Sequence, residues 1–310
     1  MKIIRNKYLI VVIIVFALYI KQSSAQQEPL FTQYMFNTLI VNPAYAGTRD
    51  ALNINTLTRY QWVGVEGAPK TYSLGLHTPL YQKNVGVGFT FINDNTGPIS
   101  TNYLGLNYAY RIKINKKLTL SMGLKGGIHW YNSNLTSLET TDPTDPEFQL
   151  NEKQTNPNFG IGLYLFSDSY YVGFSSPKLF ELTIDSETSS SLNELKRHYY
   201  LIGGYVYNVN PKLDFKPSVF TRIVSGAPIS TDLTLQFYYD KMIWFGAMYR
   251  IGDAIGAFFD IRLNKQLTIG YGYDYSLNAL IGLNSGSHEI MLSYDFNKIK
   301  AGKVISPRYF

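Results

Sequence analysis

The sequence predicts an all-β chain: a transmembrane antiparallel β-barrel of about 14 strands, with a short N-terminal helical segment. Three observations carry this. Short segments alternate apolar and polar residues with period two along most of the 310 residues. The connections between them tend to alternate in length. Charged residues make up only 16% of the chain and aromatics 15%, with 26 Tyr and 18 Phe; an ordinary soluble domain is about 25% charged.

Residues 1–25 read as an export signal. Lys2, Arg5 and Lys7 give a basic start, Tyr8 to Ile20 is an unbroken apolar run, and Ser23-Ser24-Ala25 offers small residues for cleavage. A membrane-spanning helix needs about 20 apolar residues, more than this run supplies. The leader holds four of the 28 basic residues (Lys2, Arg5, Lys7, Lys21) and no acidic one. Without it, 24 basic residues face 22 acidic ones, and the formal +6 falls to +2. That balance is no nucleic-acid footprint. With no cysteine, the chain has neither a disulfide framework nor a thiolate metal site.

Residues 26–48 do not alternate. Phe31, Met35 and Leu39 recur at i, i+4 and i+8, which suits one helical face. Pro43 should end that helix, because the residue before a proline avoids the helical region. Gly47 suits a turn. The expected place is near the periplasmic mouth or inside the lumen. Packing against the wall and docking a partner are both open roles for it.

The strands follow. In 118–130, Leu118, Leu120, Met122, Leu124, Ile128 and Trp130 share a face, opposite Thr119, Ser121, Gly123, Lys125, Gly127 and His129. Leu267, Ile269, Tyr271, Tyr273 and Tyr275 oppose Thr268, Gly270, Gly272 and Asp274, and 233–239 repeats the pattern. Template matching places the segments near 50–60, 71–79, 84–93, 98–112, 117–132, 157–166, 169–175, 197–208, 212–224, 229–239, 242–251, 254–263, 266–275 and 287–296. The oily face is rich in tyrosine, as at Tyr108, Tyr110, Tyr271 and Tyr273. A ring that is apolar with a wet hydroxyl suits a headgroup interface.

Odd connections are expected long (61–70, 94–97, 133–156, 176–196, 276–286) and even ones short (113–116, 167–168, 209–211, 240–241, 264–265). Outer-membrane barrels sort their loops this way, with long outer loops and short periplasmic turns. Both termini should then lie in the periplasm. The two longest loops are acidic, with Glu139, Asp142, Asp145, Glu147 and Glu152 in one and Glu181, Asp185, Glu187 and Glu194 in the other. Neither has a Ca²⁺-loop pattern with its glycine, so they read as solvated loops before cation or partner sites. Phe296 is expected to close the last strand in the wall, although Phe310 offers a second terminal aromatic. The division is signal peptide 1–25, mouth or lumen segment 26–48, barrel 49–297 and periplasmic tail 298–310.

Short motifs add a family resemblance. Gln33-Tyr34-Met35-Phe36-Asn37 is followed by Asn42-Pro43-Ala44-Tyr45-Ala46-Gly47, then Arg59, Gln61 and Trp62, then Gly67-Ala68-Pro69. In order and spacing this resembles the opening of the PorP/SprF family of the Bacteroidetes, and Ser306-Pro307-Arg308-Tyr309-Phe310 resembles that family's end. The resemblance implies a non-enzymatic outer-membrane barrel of the type IX secretion and gliding motility machinery. It implies partners in the translocon, the periplasmic ring and the C-terminal domains of secreted cargo, whose export or surface anchoring such barrels assist. It carries over Asn42, Pro43, Ala44, Tyr45, Gly47, Arg59, Gln61, Trp62, Gly67 and Pro69, which would shape the N-terminal segment and first hairpin. The long 133–156 insertion departs from the family's pattern.

No chemistry competes with this. The glycine pairs Gly86/Gly88, Gly160/Gly162 and Gly270/Gly272 sit at strand period with no helix behind them, so they suit a barrel interior or a sheet bend better than a phosphate cradle. His77, His129, His198 and His288 are scattered. No cofactor, catalytic residue or metal ligand is expected, and a barrel lipase or protease lacks a nucleophile and base. The alternative is a passive porin for small solutes, which needs an open, water-filled lumen.

Overall fold

The computed structural model describes residues 28–49, 51–80, 84–140, 142, 145, 148–184 and 193–296. The expected signal peptide and C-terminal tail lie outside them. The strands are β1 (Asn53–Tyr60), β2 (Lys70–Pro79), β3 (Val85–Thr96), β4 (Ile99–Lys113), β5 (Thr119–Ser133), β6 (Lys153–Phe166) and β7 (Tyr170–Ser176). A small loop hairpin, β8 (Leu182–Ile184) and β9 (Asn193–Leu195), comes next. Then follow β10 (His198–Tyr205), β11 (Tyr207–Asn210), β12 (Leu213–Val224), β13 (Ser230–Tyr239), β14 (Ile243–Arg250), β15 (Ala254–Arg262), β16 (Leu267–Ser276) and β17 (Ser287–Asp295).

Every wall pair is antiparallel. The sheet forms one closed ring, in which β1 pairs with β17 and β10 pairs with β12. β10 and β11 are one wall strand interrupted at Val206, and both pair with β12, so the barrel has 14 strands. Pro217 of β12 falls opposite Tyr205, next to the break, and its missing N–H removes a ladder bond. Closure leaves no open sheet edge, which is what lipid requires.

Alternation sorts the faces as expected. On β5, Leu124 is 61% exposed while its neighbour Lys125 is 2% exposed. A soluble fold would reverse that pair. Outward tyrosines gather at both rims. Tyr108, Tyr110, Tyr170, Tyr205, Tyr207 and Tyr239 lie toward the short turns, and Tyr60, Tyr72, Tyr249 and Tyr275 toward the long loops. These are the two aromatic girdles of a membrane barrel.

Two boundaries differ from expectation. Residues 94–97 are no loop: β3 runs through Thr96 and turns into β4 at Ile99, with Gly97 at φ 54°. The long-loop end thus also holds tight turns, here and at 251–253. β6 starts at Lys153, ahead of Pro157. Proline is tolerated there because β7 begins to pair with β6 only at Ile161, so Pro157 needs no N–H on that side.

The N-terminal segment is not one helix. It has a 3-10 turn at Tyr34–Phe36, a helical turn at Thr38–Val41 and a second 3-10 turn at Pro43–Tyr45. Asn37 (φ −126°, ψ 44°) and Asn42 (φ −139°, ψ 109°) interrupt it. Asn42 is extended because Pro43 follows. Residues 31–47 are all buried, inside the lumen.

Candidate functional site

The lumen is occupied, and what fills it is the chain's own segment 28–49. Its course can be followed by what it touches. Glu28 pairs with Lys178, just beyond the long-loop end of β7, at 2.7 Å. Thr32 and Gln33 meet Glu289 near the start of β17, while Arg49 pairs with Asp295 at that strand's other end, 3.3 Å away. The segment therefore descends the lumen from the outer end to the periplasmic end before β1 begins. Of the two expected places, the periplasmic mouth and the lumen, the segment takes the lumen, and Glu28 lies at its long-loop end.

The wall is shaped to receive it. A Cβ on Gly86 would overlap the Ala46 carbonyl, one on Gly123 would overlap Ala44, and one on Gly162 would overlap Asn42 Oδ1. Wall side chains then take up the segment's backbone polar groups. Ser121 Oγ donates to the Ala44 carbonyl at 2.6 Å, Ser175 Oγ to Val41 at 2.6 Å and Lys125 Nζ to Ile40 at 3.3 Å. Buried backbone groups need such partners. Aromatic contacts hold the side chains: Tyr34 stacks on Phe220 at 4.5 Å, and Phe36 sits edge-on to Trp244 at 5.9 Å.

One ionic latch fastens the upper part. Arg59 reaches Asp274 at 2.7 Å and Glu289 at 3.2 Å. Glu289 also accepts the backbone N–H of Thr32 at 2.9 Å and of Gln33 at 2.7 Å. Thr32 Oγ1 accepts from Arg59 at 2.9 Å and donates to Asp274 at 2.6 Å. A second buried cluster joins Arg222 and Arg250 through Asp232 at 3.0 and 2.9 Å.

At the segment's start, burial raises the Glu28 carboxyl. The Lys178 ammonium, His198 and the hydrogen bond from Lys178 outweigh that and hold it at about 2.

The motif residues divide into two groups. Asn42 Oδ1 accepts from Ala44 N at 2.9 Å and its Nδ2 donates to the Leu163 carbonyl at 3.0 Å. Pro43 opens the 3-10 turn, and Tyr45 packs edge-on to Tyr164 and His77. Gly47 has φ 71°; its N–H donates to His77 Nδ1 at 3.1 Å, and its carbonyl accepts from Arg111. These and Arg59 belong to the lumen. Gln61, Trp62, Gly67 and Pro69 instead form the first outer loop. Gln61 N–H donates to the Pro69 carbonyl at 2.9 Å, Trp62 N–H to Ser287 Oγ at 3.2 Å, and the Gly67 carbonyl accepts from Gly97 at 2.8 Å.

Sequence reasoning missed the acidic half of the latch, Asp274 and Glu289, and the Arg222–Asp232–Arg250 cluster. The available signal was an ionisable residue at an inward position of an otherwise apolar and small-residue strand. Among the described residues no group of His, Asp and Glu is arranged to hold a metal.

A family model described as "Type IX secretion system membrane protein PorP/SprF" matches residues 23–294. No curated protein matches the chain. Among solved structures, the Acinetobacter baumannii outer membrane protein Omp33 is 8% identical, with 79% of this chain and 98% of that chain covered and a TM-score of 0.46. A Pseudomonas aeruginosa FadL homologue is 13% identical, with 88% and 96% covered and a TM-score of 0.45. The CymD monoaromatic hydrocarbon channel is 10% identical, with 84% and 93% covered and a TM-score of 0.48.

Proposed function

We propose that this chain, which belongs to the PorP/SprF family of type IX secretion system membrane proteins, assists the export or surface anchoring of particular cargo proteins as a plugged outer-membrane barrel. Its partners in this reading are the translocon, the periplasmic ring components and the C-terminal domains of cargo. The leader 1–25 is removed on export, and the tail 298–310 faces the periplasm. Asn42, Pro43, Ala44, Tyr45, Gly47 and Arg59 keep the plug seated, while Gln61, Trp62, Gly67 and Pro69 fix the outer face. The reading assigns no catalysis.

The observation that carries it against a passive porin is the filled lumen, with residues 31–47 buried between the walls. A solute channel needs that space as water. Deleting the gene and taking a census of surface and secreted proteins tests the proposal. Loss of one or a few cargo proteins is expected. An unchanged census with altered solute uptake would transfer the function to a porin.

A further inference from the structure

One cluster at the outer end of the lumen belongs neither to the latch nor to the glycine track. Tyr103 of β4 lies over Gly105 and Gly127. A Cβ on Gly127 would stand 2.5 Å from the Tyr103 hydroxyl oxygen, and one on Gly105 would stand 3.0 Å from Tyr103 Cε1. Two ammonium groups sit on this ring, Lys125 Nζ at 4.6 Å and Lys178 Nζ at 4.7 Å from its centroid. A desolvated ammonium over an aromatic face is held by the ring quadrupole. His129 of β5 stands directly across the strand pair from Tyr103.

The cluster has more polar capacity than it uses. Both ring nitrogens of His129 and the Tyr103 hydroxyl are buried without a partner among the described residues. Lys125 spends one donor on the Ile40 carbonyl. The carboxylate that enters is Glu28, on Lys178 at 2.7 Å. The charge of Asp94 is felt by Lys178 and Glu28, and its Oδ1 is engaged by Thr71 Oγ1 at 2.5 Å. Unfilled donors in a buried polar site call for a ligand or ordered water. Glu28 is held by Lys178 and by a side-chain hydrogen bond with Tyr200, with His198 and His129 close enough to act on its charge.

We propose that this pocket is a carboxylate-binding site that the chain fills with its own Glu28. A carboxylate presented from the outer side competes for Lys178, Lys125 and His129, and its binding frees the start of the lumenal segment. The ligand is a small organic acid or the α-carboxylate at the end of a peptide. Displacement is reciprocal: whatever loosens Glu28 strengthens the foreign carboxylate by the same factor. The inference rests on the pocket alone and stands whichever way the secretion reading falls.

Chemical rescue tests it. In the full-length mature protein in an uncharged detergent, Glu28→Ala empties the pocket. Acetate, exchanged for chloride at constant ionic strength, should raise the melting temperature of this variant by a few degrees and leave the wild type unraised. Lys178→Met in the Glu28→Ala background should abolish the rise. A short peptide with a free C-terminus that outperforms both acetate and its amidated form assigns the site to chain ends. Equal effects of acetate and the free peptide assign it to small acids. An acetate effect no larger than that of chloride, or one that survives Lys178→Met, overturns the proposal. Should Glu28→Ala not fold, the wild type carries the test: acetate should speed amide exchange at Thr32 and Gln33 relative to chloride. Unchanged exchange refutes the idea.

Discussion

Asn42 and Gly162 interlock. The Asn42 side chain occupies the space that a Cβ on Gly162 would fill, so the strand's missing side chain and the segment's amide are one packing unit. The relationship repeats down the wall at Gly123 with Ala44 and at Gly86 with Ala46. Segment and barrel are therefore complementary at the level of single atoms.

Substituting this glycine should be felt. Gly162→Val is expected to cost about 1–3 kcal/mol through overpacking. Gly126→Ala, whose new methyl group would meet only Phe159 at 3.9 Å, should be near neutral. Urea unfolding midpoints in detergent compare the two. Equal midpoints would mean that the segment does not sit against β6.

The ionic latch gives a larger effect. Arg59→Met leaves Asp274 and Glu289 buried without their guanidinium. Removing one partner from a buried pair costs about 3–5 kcal/mol. Adding Glu289→Gln should recover part of the loss, read as a double-mutant cycle. A loss near that of an exposed pair, roughly 0–1 kcal/mol, would place the latch in water.

Acid should loosen the start of the segment. The carboxyl of Glu28 is held at about 2, below its ordinary 4.5. A group depressed in the folded state binds protons more readily when unfolded, so its stabilisation is full above 4.5 and disappears as pH falls toward 2. Amide exchange at Thr32 and Gln33 in the wild type and in Glu28→Gln should differ at neutral pH and converge between those limits. A constant difference across that window contradicts the assignment.

Faces can be told apart by charge. Leu124→Arg, at an outward position midway along β5, is expected to cost roughly 2–4 kcal/mol in a bilayer. Leu138→Arg, in an outer loop and 41% exposed, should stay within about 0.5 kcal/mol. Folding yields into vesicles measure the contrast. Parity of the two variants would mean that Leu124 does not face lipid.

Much of the wall was legible because period two needs only local sequence. The outward run Leu267, Ile269, Tyr271, Tyr273 and Tyr275 and the inward run Glu289, Met291, Ser293 and Asp295 were both readable from alternation. So was the inward setting of Gly86 and Gly162. The latch was not. Arg59 and Glu289 lie 230 positions apart in sequence and meet only because β1 closes on β17. The course of the segment was also hidden. The spacing of Phe31, Met35 and Leu39 was compatible with one helix, but burial on every side removed the need for a single apolar face. Asn37 and Asn42 then divided it into three turns. The direction of travel, from outer end to periplasmic end, depends on contacts at Glu289 and Asp295 that no local pattern encodes.

The central claim is that the barrel carries its own N-terminal segment as a plug, and conductance across planar bilayers tests it most directly. The purified wild-type protein should give no steady current, and a variant lacking residues 28–47 should open a stable pore. Steady current through the wild type, unchanged by that deletion, would contradict the account.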